Sequence, residues 1–401
     1  MNGMVLDSWL ARIADIHPVG WDLGLDRVGQ VARLLGVTHP ADKVVLVAGT
    51  NGKGSTCQYL TDIARASGLR TGASTSPHLF RFNERIAVDG EPAKDSLIVE
   101  AFESIDEARG DITLTHFEFA SLASMLIFEQ IELDLAILEV GLGGRLDAMN
   151  VVDPDLCIIS SIDLDHESWL GDTREAIGFE KAGILRSGVA LVLGEPNPPQ
   201  SVLRQVDKLQ VPMLAINRDF AIDDQLEYSL PASSFAVAKK AAEVLNLSLP
   251  DEVYTDIART SRLVGRRTWW TTGGRVLLDV AHNPAAANLL WEYVKGLNHI
   301  GNVHGLFGIY ADKNIGGVAD VFKGKFETWH LTNLDEPRAA KASEIVYHLP
   351  EEDRGTAFTY AKISDAVEGV LEITKPEDFV LVFGSFSVVA GALEYLNKNK
   401  T

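Results

Sequence analysis

Short runs of apolar residues alternate with amphipathic stretches along almost the whole chain. A brief apolar run bounded by turn residues predicts a buried strand, whereas apolar residues spaced three or four apart predict a helix. In the first part of the chain these patterns predict strands at 44–48, 135–140, 156–161, 189–193 and 213–216, and helices at 54–66, 119–129 and 173–185. Such alternation is typical of a mostly parallel sheet with helices on both faces.

The pattern then starts again in the last third of the chain. Two consecutive predicted helices are followed by a hairpin-like Thr271–Gly274 and a predicted strand at 275–280. Further predicted strands, separated by helices, lie at 305–309, 328–331 and 379–383. We therefore predict two α/β domains, residues 1–264 and a smaller domain of residues 265–401.

Composition and charge narrow the class of protein. The 401 residues carry 36 Lys and Arg against 56 Asp and Glu, a formal net charge of −20. Such a surplus of carboxylates disfavours nucleic acid and anionic membranes as partners. The two cysteines lie in apolar stretches, the first ten residues have no basic leader, and no apolar run could span a bilayer. We therefore expect a cytoplasmic protein whose free Cys57 and Cys157 belong to the core.

A glycine-rich loop directly follows the predicted strand 44–48 and opens the next predicted helix. Backbone N–H groups of such a loop, together with the helix N-terminus, bind phosphates. A lysine there would neutralise the β/γ-phosphates and a hydroxyl would bind Mg²⁺. The loop departs from the common phosphate-loop spacing, since a glycine separates the lysine from the serine. The candidate nucleotide-binding residues are Asn51, Gly52, Lys53, Gly54, Ser55 and Thr56.

Two later strands also end in candidate metal or phosphate ligands. Glu139 comes at the end of the strand 135–140 and precedes a glycine-rich stretch; it could bind a metal or only cap its loop. His166 follows the strand 156–161, where a structural role and a ligand role are equally plausible. A histidine is an unusual magnesium ligand, because Mg²⁺ prefers oxygen donors.

The second domain repeats the arrangement of a strand followed by polar residues. Asp279 ends a predicted strand, where acidic residues bind ribose hydroxyls in nucleotide folds. Asn283 and Pro284 have the residue types of an N-cap and first helical position. Arg266 is a candidate to bind a γ-phosphate. Lys181, late on a predicted helix, would by itself be read as a solvated lysine.

Taken together, these motifs resemble the bifunctional dihydrofolate synthase/folylpolyglutamate synthases of bacteria, within the Mur-ligase superfamily. The resemblance implies a phosphate-loop domain and a smaller C-terminal Rossmann-like α/β domain. It also explains the glycine before Ser55, which is the superfamily's own form of the loop. The matching segments are GTNGKGS (49–55), TSPHL (75–79), RFNERI (81–86), FEF (117–119), EVGLGGRLDAMNV (139–151), SIDLDHESWLG (161–171), EKAGI (180–184), GR (265–266), DVAHNP (279–284) and GSF (384–386).

The resemblance also implies roles for individual residues. ATP would be bound by the phosphate loop and by Arg266, Asp279, His282 and Asn283, with Lys53, His166, Lys181 and Arg266 serving catalysis. Two Mg²⁺ sites would be formed by Ser55, Ser76, Glu139, His166 and a carbamylated Lys181. The pteroyl substrate would be held by Ser76, Pro77, His78, Phe117, Arg145 and Asp147. Ser234 stands where the family often has an asparagine near adenine, and we assign no role to Asn83 or Glu84.

The implied reaction is ATP-dependent addition of L-glutamate to dihydropteroate and to the γ-carboxylate of reduced folates, through an acyl phosphate. The expected partners are these small molecules, with no nucleic acid or membrane, and the expected state is a monomer. Two alternatives stay open: a cell-wall Mur ligase acting on a UDP-linked substrate, and a nucleotide-dependent switch protein. TSPHL and FEF argue against the first, and candidate ligands outside the phosphate loop argue against the second.

Overall fold

A computed structural model describes residues 5–17, 19, 22–271, 275–297 and 301–399. The first four residues of the N-terminus and 272–274 of the predicted hairpin lie outside the described residues. The chain divides into two compact units, Met1–Ser261 and Arg262–Thr401. No described helix is long and apolar enough to cross a membrane.

The first unit is built on an eight-stranded sheet of order β4-β3-β2-β5-β1-β6-β7-β8. Its central strands pair in parallel, and only the β2–β3 and β3–β4 pairs at one edge are antiparallel. The strands are β1 (Lys43–Ala48), β2 (Thr71–Ser74), β3 (Ile86–Val88), β4 (Glu91–Pro92), β5 (Leu135–Glu139), β6 (Leu156–Ile159), β7 (Ala190–Leu193) and β8 (Met213–Ala215).

Ten helices accompany this sheet in the part of the chain that the structure describes. They are α1 (Leu6–Ile16), α2 (Asp26–Leu35), α3 (Lys53–Ala66), α4 (Asp95–Arg109), α5 (His116–Ile131), α6 (Glu167–Leu170), α7 (Arg174–Lys181), α8 (Gln200–Leu209), α9 (Ala232–Val244) and α10 (Asp251–Thr260). Alternate residues of β1, Val44, Leu46 and Ala48, enter a core shared with α1, α2, α4 and α5. Val45 and Val47 are equally buried, so β1 is covered on both faces, as parallel strands normally are.

The second unit has a six-stranded sheet of order β13-β12-β11-β14-β10-β9, in which only the β9–β10 pair is antiparallel. Its strands are β9 (Thr268–Trp270), β10 (Val276–Leu278), β11 (Val303–Phe307), β12 (Thr328–Thr332), β13 (Ala357–Tyr360) and β14 (Phe379–Phe383). Its helices are α11 (Pro284–Lys295), α12 (Ile315–Val321), α13 (Ala342–His348), α14 (Ile363–Ile373) and α15 (Phe386–Lys398). Both units therefore confirm the predicted class, α/β with mostly parallel sheets.

Two predicted boundaries were wrong for identifiable reasons. The helix predicted over 173–185 ends at Lys181 and continues as a 3₁₀ turn, Ala182–Ile184. The backbone N–H of Arg145 donates to the carbonyl of Glu180 at 2.8 Å, so this carbonyl accepts a hydrogen bond from outside the helix. The strand predicted over 156–161 ends at Ile159.

Candidate active site

The phosphate loop lies between β1 and α3, held against the chain that follows β6. The N–H of Thr50 donates to the carbonyl of Ser161 at 2.9 Å, and the Ser160 hydroxyl donates to the carbonyl of Asn51 at 2.7 Å. A Cβ on Gly49 would lie 1.9 Å from Ser160 Oγ, so only glycine allows this approach. The neighbouring β6 chain therefore sets the shape of the loop.

Lys53 and Ser234 complete this loop. Lys53 begins α3, and its Nζ donates to the carbonyls of Gly49 and Thr50 at 3.0 and 3.3 Å. The Ser234 hydroxyl donates to the carbonyl of Gly52 at 3.4 Å, so the residue expected near adenine touches the loop itself. Gly52, Gly54, Ser55 and Thr56 continue from the loop into the first turn of α3, where Ser55 and Thr56 are buried.

Residues 75–85, hereafter the 75–85 loop, lie beside the end of β5. The N–H of Ser76 donates to Glu139 Oε2 at 3.2 Å, and the Ser76–Pro77 peptide bond is cis. The Nε of Arg85 donates to His78 Nδ1 at 2.8 Å. The structure thus brings Ser76 and Glu139 together, two of the predicted metal ligands.

His166 is less simply placed. It lies in the loop beyond β6 rather than at the strand tip, because the side chains of Asp163 and Asp165 accept the following backbone N–H groups and turn the chain. It precedes α6 with a left-handed φ of 53°. Among the described residues, no three His, Cys, Asp or Glu side chains could hold a metal ion by themselves. The predicted metal ligands include, besides Glu139 and His166, the hydroxyls of Ser55 and Ser76 and a modified Lys181.

Lys181 is the least expected feature of the site. It is the last residue of α7 and only 3 % exposed. Burial, and then the charge of Lys53, lower the pKa of Lys181 to about 7, while Asp165 and Asp147 act in the opposite direction. A substantial fraction of this amine is therefore neutral, unlike a solvated lysine.

The predicted pteroyl ligands lie around the chain after β5. The ring of the half-buried Phe117 packs so closely on Gly141 that a Cβ there would lie 2.5 Å from it. Asp147 accepts N–H groups from Leu142 and Met149 at 2.8 and 2.9 Å, and burial raises its pKa to about 6. Arg145 donates to Glu180 Oε1 at 2.9 Å. Asp147 and Arg145 thus hold this loop in shape, and their contacts with substrate stay predictions.

In the second unit, the predicted nucleotide residues gather at the end of β10. Asp279 accepts the N–H groups of Arg267 and Ala281 at 3.0 and 2.9 Å, and lies 3.6 Å from Arg266. His282 Nδ1 lies 2.8 Å from the carbonyl of Val280 and must donate to it. Asn283 caps α11 by accepting the N–H of Ala286, with Pro284 in the first turn, as predicted.

Sequence reasoning missed Glu84 and Arg85. The Glu84 carboxylate accepts three consecutive N–H groups, those of Leu79, Phe80 and Arg81, at 2.7, 2.9 and 2.7 Å. The only signal in the sequence was their place in RFNERI, directly after TSPHL. A capping carboxylate and a half-buried guanidinium leave no periodic pattern that could have predicted these roles.

Known proteins match this chain over almost its whole length. Residues 265–386 match the family model described as "Mur ligase, glutamate ligase domain". The dihydrofolate synthase/folylpolyglutamate synthase of Escherichia coli (strain K12) is 38% identical over 412 residues, covering 99% of this chain and 96% of that protein. The chain belongs to the dihydrofolate synthase/folylpolyglutamate synthase family.

Solved structures of related enzymes agree with this assignment. E. coli FolC in complex with DHPP and ADP has a TM-score of 0.95 and 37% identity, and covers 99% of each chain. A bifunctional folylpolyglutamate synthase/dihydrofolate synthase with Mn, AMPPNP and L-glutamate bound has a TM-score of 0.92 and 36% identity, and covers 98% of each chain. The family match therefore spans both units, including the phosphate loop and the residues around Asp279.

Proposed function

We propose that this enzyme is an ATP-dependent ligase that adds L-glutamate to dihydropteroate and to the γ-carboxylate of reduced folates. The observation that carries the proposal is the phosphate loop with its half-buried Lys53, which has no carboxylate within 4.0 Å among the described residues. An uncompensated cation beside oriented N–H groups is suited to the triphosphate of ATP. Relatives solved with ADP, AMPPNP and L-glutamate support the same substrates here.

The chemistry follows from the substrate. A carboxylate is a poor acyl donor, because an amine would have to displace oxide from it. Transfer of the γ-phosphoryl group of ATP to the carboxylate gives an acyl phosphate, from which phosphate can leave. The α-amine of glutamate attacks the carbonyl carbon, forms the amide bond, loses a proton and expels phosphate. The protein needs no covalent nucleophile, so catalysis rests on positioning and charge neutralisation.

We assign the roles as follows. Asn51, Gly52, Lys53, Gly54, Ser55 and Thr56 bind the phosphates of ATP. Arg266 also binds phosphate, Asp279 binds the ribose, and His282 and Asn283 contact the nucleotide. The first proposed domain, residues 1–264, carries the folate residues Ser76, Pro77, His78, Phe117, Arg145 and Asp147. In this assignment Arg266 must leave Asp279 when it binds phosphate, which their 3.6 Å separation makes inexpensive.

A divalent metal fits the same region. The carboxylate of Glu139 and the buried hydroxyl of Ser55 are oxygen donors of the kind Mg²⁺ prefers. We propose these two, with Ser76, His166 and Lys181, as the residues that hold two Mg²⁺ ions. When bound, the metal neutralises phosphate oxygens as the γ-phosphoryl group is transferred.

Lys181 joins this set only if it is carbamylated, because an ammonium would repel a cation. Its neutral amine would attack CO₂, forming an N–C bond and releasing one proton, and would become an anionic oxygen donor. Complete burial and the proximity of Lys53 support this modification, since both favour the neutral amine. Intact-protein mass measured at neutral and acid pH should show one CO₂ that acid removes.

The proposed reaction is tested by incubating the protein with ATP, Mg²⁺, L-glutamate and either dihydropteroate or tetrahydrofolate. We expect products heavier by one glutamyl residue and one ADP per amide bond. ATP hydrolysis that ignores both glutamate and pteroate would indicate a switch protein. Turnover only with a UDP-linked acceptor would indicate a cell-wall ligase.

We further propose that the enzyme acts in the cytoplasm as a monomer, on small molecules rather than on nucleic acid or membranes. The net charge of −20 supports this, since it repels phosphate polymers. Light scattering during size-exclusion chromatography should give about the chain mass, 43.6 kDa. A mass twice as large would contradict the monomer.

A further inference from the structure

The 75–85 loop is unusually well fixed for a surface loop. Its ends meet where the N–H of Thr75 donates to the carbonyl of Arg85 at 3.0 Å. Its middle is held by the Glu84 carboxylate, which accepts three backbone N–H groups. Within the loop, Asn83 connects it to the following segment by donating to the carbonyl of Ala93 and to Asp95 at 2.7 and 2.8 Å. The backbone of this loop is therefore held in place by the protein's own hydrogen bonds.

Arg85 is an unusual residue within this loop. Burial lowers the pKa of Arg85 to about 10, with Glu139 and Glu84 opposing the shift. No described carboxylate lies within 4.0 Å of its guanidinium. Its partners are instead His78 Nδ1 at 2.8 Å and the face of Phe82, 5.8 Å from the ring centroid.

This contact decides the tautomer of His78. A guanidinium has only N–H donors, so the Nδ1 that it contacts must accept with its lone pair. The proton of the neutral imidazole is then on Nε2. The Phe82 ring, 6.2 Å from the His78 ring centroid, also restricts its rotation. His78 therefore presents a single N–H donor, from a half-buried position.

We propose that Arg85 is a positioning residue that holds His78 with its Nε2–H ready to donate to an oxygen of the pteroyl substrate. This rests on the proposed function, in which the loop containing Ser76 and His78 binds that substrate. Ser76, two residues earlier, contacts Glu139 at 3.2 Å, so His78 lies close to the candidate metal site. With one ring nitrogen bound to Arg85 and the other protonated, His78 has no lone pair for a metal.

The tautomer can be measured without any catalysis. In protein labelled with ¹⁵N-histidine, long-range ¹H–¹⁵N correlation spectra distinguish protonated from unprotonated ring nitrogens, and His78→Gln identifies the signals of His78. We expect the Nε2–H tautomer in the parent and a mixture in Arg85→Met. Arg81→Met is the matched control, since Arg81 lies on the same loop, largely exposed, and pairs with Asp95. An Nδ1–H tautomer in the parent overturns the proposal.

Kinetics then test the link to substrate. Arg85→Met and His78→Gln should each raise the KM for dihydropteroate about tenfold and leave the KM for ATP unchanged, as for one lost hydrogen bond. The double variant should be no worse than either single variant. Arg85→Lys, which keeps a donor, should recover part of the loss and covers the case in which Arg85→Met unfolds. Additive effects, or an equal rise in both KM values, overturn it. If no ligation occurs at all, the proposed function fails, while the spectra still decide the tautomer.

Discussion

The carboxyl edges of the two sheets differ in whether a carboxylate lies close to their cationic side chains. At the edge of the first sheet, Lys53 and Lys181 are half-buried and fully buried, and no described carboxylate lies within 4.0 Å of either ammonium. At the edge of the second sheet, Arg266 lies 3.6 Å from Asp279, whose carboxylate also accepts two backbone N–H groups.

The first edge carries positive charge that a bound anion would neutralise. At the second edge, a carboxylate of the protein already neutralises the charge. Burying an unpaired cation is costly, so the first edge gains most from a phosphate or from conversion of an amine into an anion. In the proposed assignment, the second edge loses the contact between Arg266 and Asp279 when it binds a nucleotide. Changes at the first edge should therefore affect catalysis more than changes at the second.

The largest effect is expected from Lys53→Ala. Loss of the phosphate-facing cation should lower kcat for glutamate addition about a thousandfold, because the charge that develops on the phosphates is no longer neutralised. The thermal midpoint should change little. Lys43→Ala is the control, since Lys43 begins β1 but is exposed and pairs with Asp155. Near-normal turnover of Lys53→Ala would show that the loop does not bind ATP.

Lys181→Ala should lower turnover by up to about a hundredfold, the usual cost of disturbing a metal site. If Lys181 is carbamylated as proposed, its removal also removes an anionic ligand. The Mg²⁺ concentration for half-maximal rate should then rise, as it should for Glu139→Gln and His166→Ala. A short carboxylic acid should restore part of the activity of Lys181→Ala only. Lys208→Ala, in the last turn of α8 and exposed, should behave as the parent. Unchanged magnesium titrations in all three variants would refute the metal assignment.

At the second edge, Arg266→Met should raise the KM for ATP about tenfold and leave the KM for glutamate unchanged, as for one charged contact. The smaller effect is expected because, in the proposed assignment, Arg266 would give up its contact with Asp279 to bind phosphate. Arg275→Met, exposed in the same unit, is the control. A loss of activity as large as that of Lys53→Ala would contradict the expected difference between the two edges.

The last prediction concerns stability rather than catalysis, and the effect arises away from either edge. His330 is 1 % exposed, and burial, followed by the charge of His304, lowers its pKa to about 4. The unfolded chain then binds the proton more readily, with a pKa near 6.5, so stability is full above pH 6.5 and falls as the pH drops toward 4. The expected loss of unfolding free energy is about 3 kcal/mol.

Urea unfolding at several pH values would check this loss. His330→Gln should flatten the fall in stability between pH 6.5 and 4, whereas His348→Gln, exposed on α13, should not. Equal slopes for the parent and His330→Gln would show that another group causes the acid sensitivity. The buried His330 would then not serve as an example of a neutral group that acts on stability alone, in contrast to the charged groups at the two edges.

The sequence by itself was enough to predict features that depend on neighbouring residues along the chain. The phosphate loop, the N-cap Asn283 with Pro284, and the α/β class follow from spacing within a few residues, because strand periodicity and helix capping are local. Family resemblance added residues that no local pattern singled out, such as Ser76 and Phe117.

Only the tertiary structure decided how deeply those residues are buried and which groups they contact. Lys181 read as a solvated helix lysine, yet packing buries it and brings it under the influence of Lys53. Asp147, which the resemblance places at the substrate, also accepts the N–H groups of its own loop. Arg85 gained a role only through contact with His78. Burial and hydrogen-bond partners depend on which distant segments meet, and no local pattern along the chain encodes that.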